Sequence, residues 1–271
     1  MLKNEKCTSR NIPLPIQREV RQRCGFGCVI CGMPLYEYEH MEEWALVHRH
    51  VADEITLLCD QHHREKTSGL LPKEKVLDAN KKPHNLREDV SKPYDFHFYG
   101  NEMIVHIGSG RYIHNGSDES FISGACPIMI DGIPLVAFKI EDGHVLLYLN
   151  IFDRNNNLVL RVIRNQLIYK ASPWDIEFVG KKLTLREGHR KILIEIIFNP
   201  PNEILISRGI LFFHDFKILI DSKGALINDS WSIGNNTHYQ NFIGLSLGRR
   251  IKDYQSFDEF IDDIDTLLYE Y

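Results

Sequence analysis

Three cysteines and a histidine in one short stretch constrain this chain more than any other feature. Cys28 and Cys31 lie three residues apart, and Cys59 and His62 repeat that interval further along. A C-x2-C pair followed by a C-x2-H pair supplies the four soft or borderline ligands of a tetrahedral structural zinc. A lone C-x2-C is equally compatible with a redox pair; the second pair is what favours a metal. The stretch is short and holds few apolar residues, so it cannot bury enough surface to hold itself together. A zinc ion would contribute folding free energy directly. Removal of Cys28 is therefore expected to unfold the motif rather than only weaken it.

Other residues in the same stretch are not needed for zinc. Leu35 to Glu39 alternates apolar-aromatic with acidic, the pattern of a half-buried strand, and ends in Glu39-His40. Glu37 and Glu39 fall on one side of it, so Glu37 is either an auxiliary acid or a solvated one. Met41 to His50 reads as a connecting loop with a short helical piece around Trp44. It carries His48 and His50, of which His50 is nearer the second strand and the better auxiliary candidate. Ile55 to Leu58 is that second strand. Asp60 opens a helix, where a carboxylate is favoured. His63, in its first turn, is expected to face back toward the strand end. Arg64 and Lys66 follow on the same helix and are candidates for phosphate contact.

In type, order and spacing these residues resemble the HNH nuclease superfamily. Its core is a hairpin, a second strand and a helix folded around one metal, stapled in some members by zinc. Glu39-His40 matches the acidic-His step, Leu57-Leu58-Cys59 the end of the second strand, and His62-His63 the Cys-His step with His replacing Cys. The resemblance covers about residues 14–82. Glu54 stands where the family usually has Asn, and an ionised Glu accepts hydrogen bonds but cannot donate them. Thr67 stands where some members carry a second metal-binding His. The resemblance implies that His40 deprotonates a water for attack on a phosphodiester, as a neutral imidazole can near pH 7. It implies that Glu39 and His63 hold one divalent ion, with Glu54 and His50 as auxiliary residues. A mixed carboxylate-imidazole set suits Mg²⁺ or Mn²⁺, with Zn²⁺ or Ni²⁺ also within its range. The expected substrate is DNA, double-stranded in preference to single-stranded, with little base specificity because the chemistry acts on the backbone. By analogy the role is defence against foreign DNA, or that of a mobile element. The alternative is a non-catalytic, zinc-stapled nucleic-acid-binding or assembly protein.

At 271 residues the chain has room for one large domain or two modest ones. The hydrophobic fraction, 43%, is enough for a packed core. The net charge of −5 gives no global attraction to a polyanion. Residues 1–90 balance 14 basic against 14 acidic side chains, so the deficit lies beyond them. Catalysis on DNA would then depend on a local basic face and a divalent ion. Cys7, Cys24 and Cys126 show no pairing pattern, which suits a reducing cytoplasm. The first residues lack the apolar core of a signal peptide, and no run is long enough to span a membrane.

Flanking the motif, residues 1–13 read as a polar arm. Pro13 and Pro15 precede a helix with Ile16, Val20 and Cys24 at helical spacing, and Arg18 and Arg21 on it are further phosphate candidates. Leu70 to Ala79 reads as another helix. Residues 83–94, with two prolines and mixed charge, read as an inter-domain linker. Beyond it, short β-rich runs recur between turns such as Asp142-Gly143, Asn155-Asn156-Asn157 and Lys223-Gly224. That pattern predicts an all-β domain, a sandwich or solenoid-like stack. Trp174-Asp175 and His189-Arg190 read as packing and surface. Ser256 with Glu259 fits a capping box opening a C-terminal helix with an apolar stripe from Phe257 to Leu268. The expectation is an α+β protein: an HNH-like domain over 1–82, a linker over 83–94, and a β-rich targeting, regulatory or assembly domain over 95–271. The β domain or terminal helix would also provide any surface for a homo-oligomer or protein partner.

Overall fold

The structure is a computed structural model and describes residues 10–116, 123–233, 238–239, 243–248 and 259–260. It is an α+β protein that divides into two compact units. The first comprises Met1–Tyr94 together with Tyr169–Val179, and the second Asp95–Ile168 with Gly180–Tyr271.

The first unit begins with α1 (Leu14–Cys24), introduced by Pro13 and ended by Gly25 in the left-handed region. Its inner face buries Val20 and Cys24, as the spacing predicts, and also Arg21. β1 (Glu37–His40) pairs antiparallel with β2 (Ile55–Leu58), with Glu37 opposite Leu58, Glu39 opposite Thr56 and His40 opposite Ile55. Every residue of β2 is buried, whereas β1 is only partly covered. This asymmetry follows from the apolar run in β2 and the alternating acids in β1. Between the strands, α2 (Trp44–Val47) is a single turn, and a short 3₁₀ turn at Ala52–Glu54 leads into β2. α3 (Asp60–Thr67) follows β2 directly, and α4 (Lys73–Lys81) starts after Pro72 with Val76 buried.

Residues 83–94, expected as a linker, carry α5 (His84–Glu88), whose Asn85 is buried in the first unit. Asn85 Nδ2 donates to the carbonyl of Gly25 at 2.8 Å, and the His84 amide donates to the carbonyl of Val29 at 2.9 Å. α5 therefore packs on the loop that holds Cys28 and Cys31. That contact explains two glycines there: a Cβ on Gly27 would fall 2.6 Å from Asn85 Nδ2, and Gly32 has φ +75° beside His84 and Asn85. Close approach of backbone to a neighbouring helix requires glycine at both places.

A second surprise in the first unit is Tyr169–Val179, which comes from deep in the β-rich half of the chain. Tyr169 donates its hydroxyl to the carbonyl of Phe26 at 2.6 Å. Asp175, in the strand Asp175–Val179, is fully buried. Trp174-Asp175, expected as packing and surface, is thus a packing element, with Asp175 in no part exposed.

In the second unit the strands Gly124–Ile130, Ile133–Glu141, His144–Phe152 and Leu158–Ile163 make an antiparallel meander. Lys182–Gly188, Lys191–Asn199, Glu203–Phe213, Phe216–Asp221 and Gly224–Ile227 make another. Glu203–Phe213 joins them, running parallel to Glu102–Ile107 at one end and pairing Phe212 with Phe152 at the other. The product is one large curled, mainly antiparallel sheet, and not the expected sandwich or stacked solenoid. Phe138, Phe152, Phe198 and Phe213 are among the large side chains buried within it. The Asp142-Gly143 turn has both residues at positive φ, as a tight hairpin demands. Of the expected terminal helix, only Glu259 and Phe260 fall among the described residues, and both are helical.

Candidate metal centre and adjoining carboxylate-histidine site

Cys28 and Cys31 sit on a tight loop in which the Gly32 amide donates to the carbonyl of Cys28 at 2.8 Å. Cys59 follows β2 directly at the N-cap position of α3, and His62 lies in the first turn of α3. Loop, strand end and helix start thereby bring four ligand atoms within 4.8 Å of one another. Cys28 Sγ lies 3.4 Å from His62 Nδ1, Cys59 Sγ 3.2 Å from the same nitrogen, and Cys31 Sγ 3.8 Å from Cys59 Sγ. A tetrahedron with Zn–S near 2.3 Å and Zn–N near 2.05 Å has edges of about 3.5–3.8 Å, so both spacing and donor chemistry suit a structural zinc. The Cys31 thiol hydrogen-bonds Cys28 and is the chief reason its pKa falls to about 4, against the opposing effect of burial. The downward shift favours the thiolate form that metal binding requires.

A different set of groups meets where β1 ends. Glu39 Oε2 lies 2.9 Å from His63 Nε2, and Glu39 Oε1 is held by Lys66 Nζ. The same ammonium donates to the main-chain carbonyl of His40 at 3.2 Å. Glu37 Oε2 is 3.7 Å from the other ring nitrogen of His63, which places a carboxylate on each edge of that imidazole. Sequence alternation already set Glu37 and Glu39 on one side of the strand; only the position of α3 shows that His63 lies between them. The donor set fits an octahedral divalent ion in one respect: cis ligands at about 2.1 Å are about 3.0 Å apart, close to the Glu39–His63 separation.

The imidazole of His40 contacts a different group. Its Nε2 is 3.2 Å from His50 Nδ1, and its ring centroid is 5.0 Å from that of Trp44. Trp44 in turn stacks on His50, with centroids 4.7 Å apart and planes at 22°. Burial, then the charge of His50, lower the pKa of His40, opposed by Glu39 and Glu54. His48 lies against the edge of Trp44. Glu54 is gripped by Arg49 through two nitrogens, and its carbonyl accepts from the Met41 amide at 2.9 Å. The Arg49–Glu54 pair thus ties the loop between the strands to its end.

Of the four phosphate candidates, three are engaged inside the first unit: Arg18, Arg21 and Lys66. Arg21 is 2% exposed; its Nε and Nη2 each donate to Asp175 at 2.8 Å, and its Nη1 donates to the Tyr38 hydroxyl at 2.7 Å. A guanidinium so enclosed cannot reach a phosphate, which corrects its assignment. Arg18 lies over Trp174, 4.8 Å from the ring centroid, with Asp175 at 3.5 Å. Arg64 is exposed on α3, and Lys66 is turned to Glu39. The Arg21–Asp175 pair was missed at the sequence level, since no local pattern links residues so far apart.

Among the described residues no helix is long and apolar enough to cross a membrane. No family model matches the chain, and neither a curated protein nor a solved structure matches it.

Proposed function

We propose that the first unit is a metal-dependent endonuclease of the HNH type that hydrolyses DNA phosphodiester bonds. The supporting observation is the 2.9 Å approach of Glu39 and His63, from separate elements; the residue after Glu39 in the chain, His40, has its charged form disfavoured. In this reading His40 accepts the proton of the attacking water, and its lowered pKa keeps it able to do so at neutral pH. The contact with His50 fixes the orientation of the ring. Glu39 and His63 are the protein ligands for Mg²⁺ or Mn²⁺. When bound, such an ion supplies positive charge for the pentacoordinate phosphorus and the leaving 3′ oxygen. Zinc at Cys28, Cys31, Cys59 and His62 holds β2 and α3 in register with the loop below them. Arg64 then faces backbone phosphate, double-stranded DNA being the substrate, and the β-rich unit serves to target, regulate or assemble the enzyme.

One observation favours the competing reading, a zinc-stapled binding or assembly module without catalysis. Both oxygens of Glu39 already have partners, His63 on one and Lys66 on the other. Plasmid cleavage with added Mg²⁺ or Mn²⁺ separates the two. The expected outcome is nicking by the wild type and a loss of roughly 10²–10⁴-fold in His40→Ala, the usual range for a general base. Equal cleavage by both proteins removes His40 from this role, and none by either, with any divalent ion, favours the binding module.

A further inference from the structure

Glu39 and Lys66 are both largely withdrawn from water, with side chains 17% and 16% exposed. The ammonium does not simply lie near the carboxylate. It is fixed at two points, Glu39 Oε1 and the carbonyl of His40. The remaining carboxylate oxygen faces His63. An ion taking Glu39 as ligand would therefore meet a positive charge at contact distance. In a partly desolvated place that repulsion is weakly screened. Ammonium and divalent ion cannot both hold this carboxylate without a cost that one of them escapes by leaving.

A phosphodiester offers Lys66 somewhere to go. Its side chain is long and its charge is a compact point with rotatable donors, so it can turn from a carboxylate to a phosphate oxygen without moving α3. Once it turns, Glu39 regains a free oxygen and loses the repelling charge. Binding at one site then strengthens binding at the other, and by linkage the effect is reciprocal. We propose that Lys66 is a built-in cation that occupies Glu39 in the free protein and yields it to the divalent ion when a nucleic-acid phosphate draws the ammonium away. The proposal rests on the nuclease reading above and adds to it a substrate-dependent loading of the metal.

The test reads Mn²⁺ binding to the zinc-loaded, full-length protein through loss of the free-ion EPR signal. All proteins carry His40→Ala so that a short DNA duplex stays whole, and a Glu39→Gln protein sets the background, including ions held by the duplex itself. Without duplex, Lys66→Met is expected to bind Mn²⁺ about tenfold or more tighter than the protein with Lys66, and Lys66→Arg to stay weak, because one unit charge beside the ion is removed or kept. Duplex is expected to tighten Mn²⁺ binding by a similar factor only where Lys66 is present. Lys66→Gln replaces Lys66→Met if zinc content or circular dichroism shows the latter misfolded. Equal affinity with lysine and with either neutral residue overturns the exchange and leaves the nuclease reading standing. Binding no better than the Glu39→Gln background in every protein, with or without duplex, overturns both.

Discussion

His40 shows how one side chain's setting decides what it can do. Burial makes its imidazolium costly and His50 adds a second penalty, while Glu39 and Glu54 pull the other way. The balance lowers its pKa, so the neutral base survives further into acid than an ordinary histidine with a pKa near 6.5. If His40 is the base, the acid limb of kcat/KM against pH is expected to fall below about 6.5. In His50→Ala the limb should move upward, because both the neighbouring charge and part of the burial are removed. A limb unmoved by that change would separate His40 from the rate. Lys66 makes the converse point. Its place on α3 is readable from the sequence, but its partner is not, since whether a helical lysine faces phosphate or a carboxylate depends on how the helix docks.

At the level of elements, the Cys28-Cys31-Cys59-His62 cluster, which could hold a metal, joins three pieces: a loop, the residue after β2 and the start of α3. α3 has no buried residue of its own. Its attachment to β2 therefore depends on the ligands more than on packing. Cys28→Ser is expected to release α3 and disorder the first unit, since structural zinc in small domains contributes about 10–16 kcal/mol of apparent binding free energy. Metal analysis should find the zinc lost, and hydrogen exchange should show α3 and β1 open while the curled sheet stays protected. Retained protection of α3 in zinc-free protein would argue against this dependence. The cluster was legible in advance because its ligands are paired at short, fixed intervals. α5 was not, because two prolines and mixed charge read as a linker, and only burial of Asn85 against the cysteine loop shows it as part of the unit.

The whole chain is organised so that the first unit is completed by a segment from the second half of the sequence. Asp175 neutralises Arg21, and Arg21 also holds the hydroxyl of Tyr38 on β1, the strand that carries Glu39 and His40. Deleting one partner of a buried pair leaves the other charged and desolvated. Asp175→Ala is expected to destabilise the first unit by about 3–5 kcal/mol, measured by denaturant unfolding. A fragment ending at Tyr94 should show the same weakness, having lost Asp175 and the Tyr169 bond to Phe26 together. A fragment as stable as the first unit of the intact chain would refute this. By itself the amino-acid sequence determined the Cys28-Cys31-Cys59-His62 ligand set, the strand-strand-helix order and the β-rich character of the second half. Each of these is written in short-range spacing or in a period of two. Only the tertiary structure decided that Arg21 is a buried anchor rather than a phosphate ligand, that Lys66 sits on Glu39, and that the β-rich half curls into one sheet. Those outcomes depend on which distant groups meet, and pairing across 154 residues leaves no periodic trace in the chain.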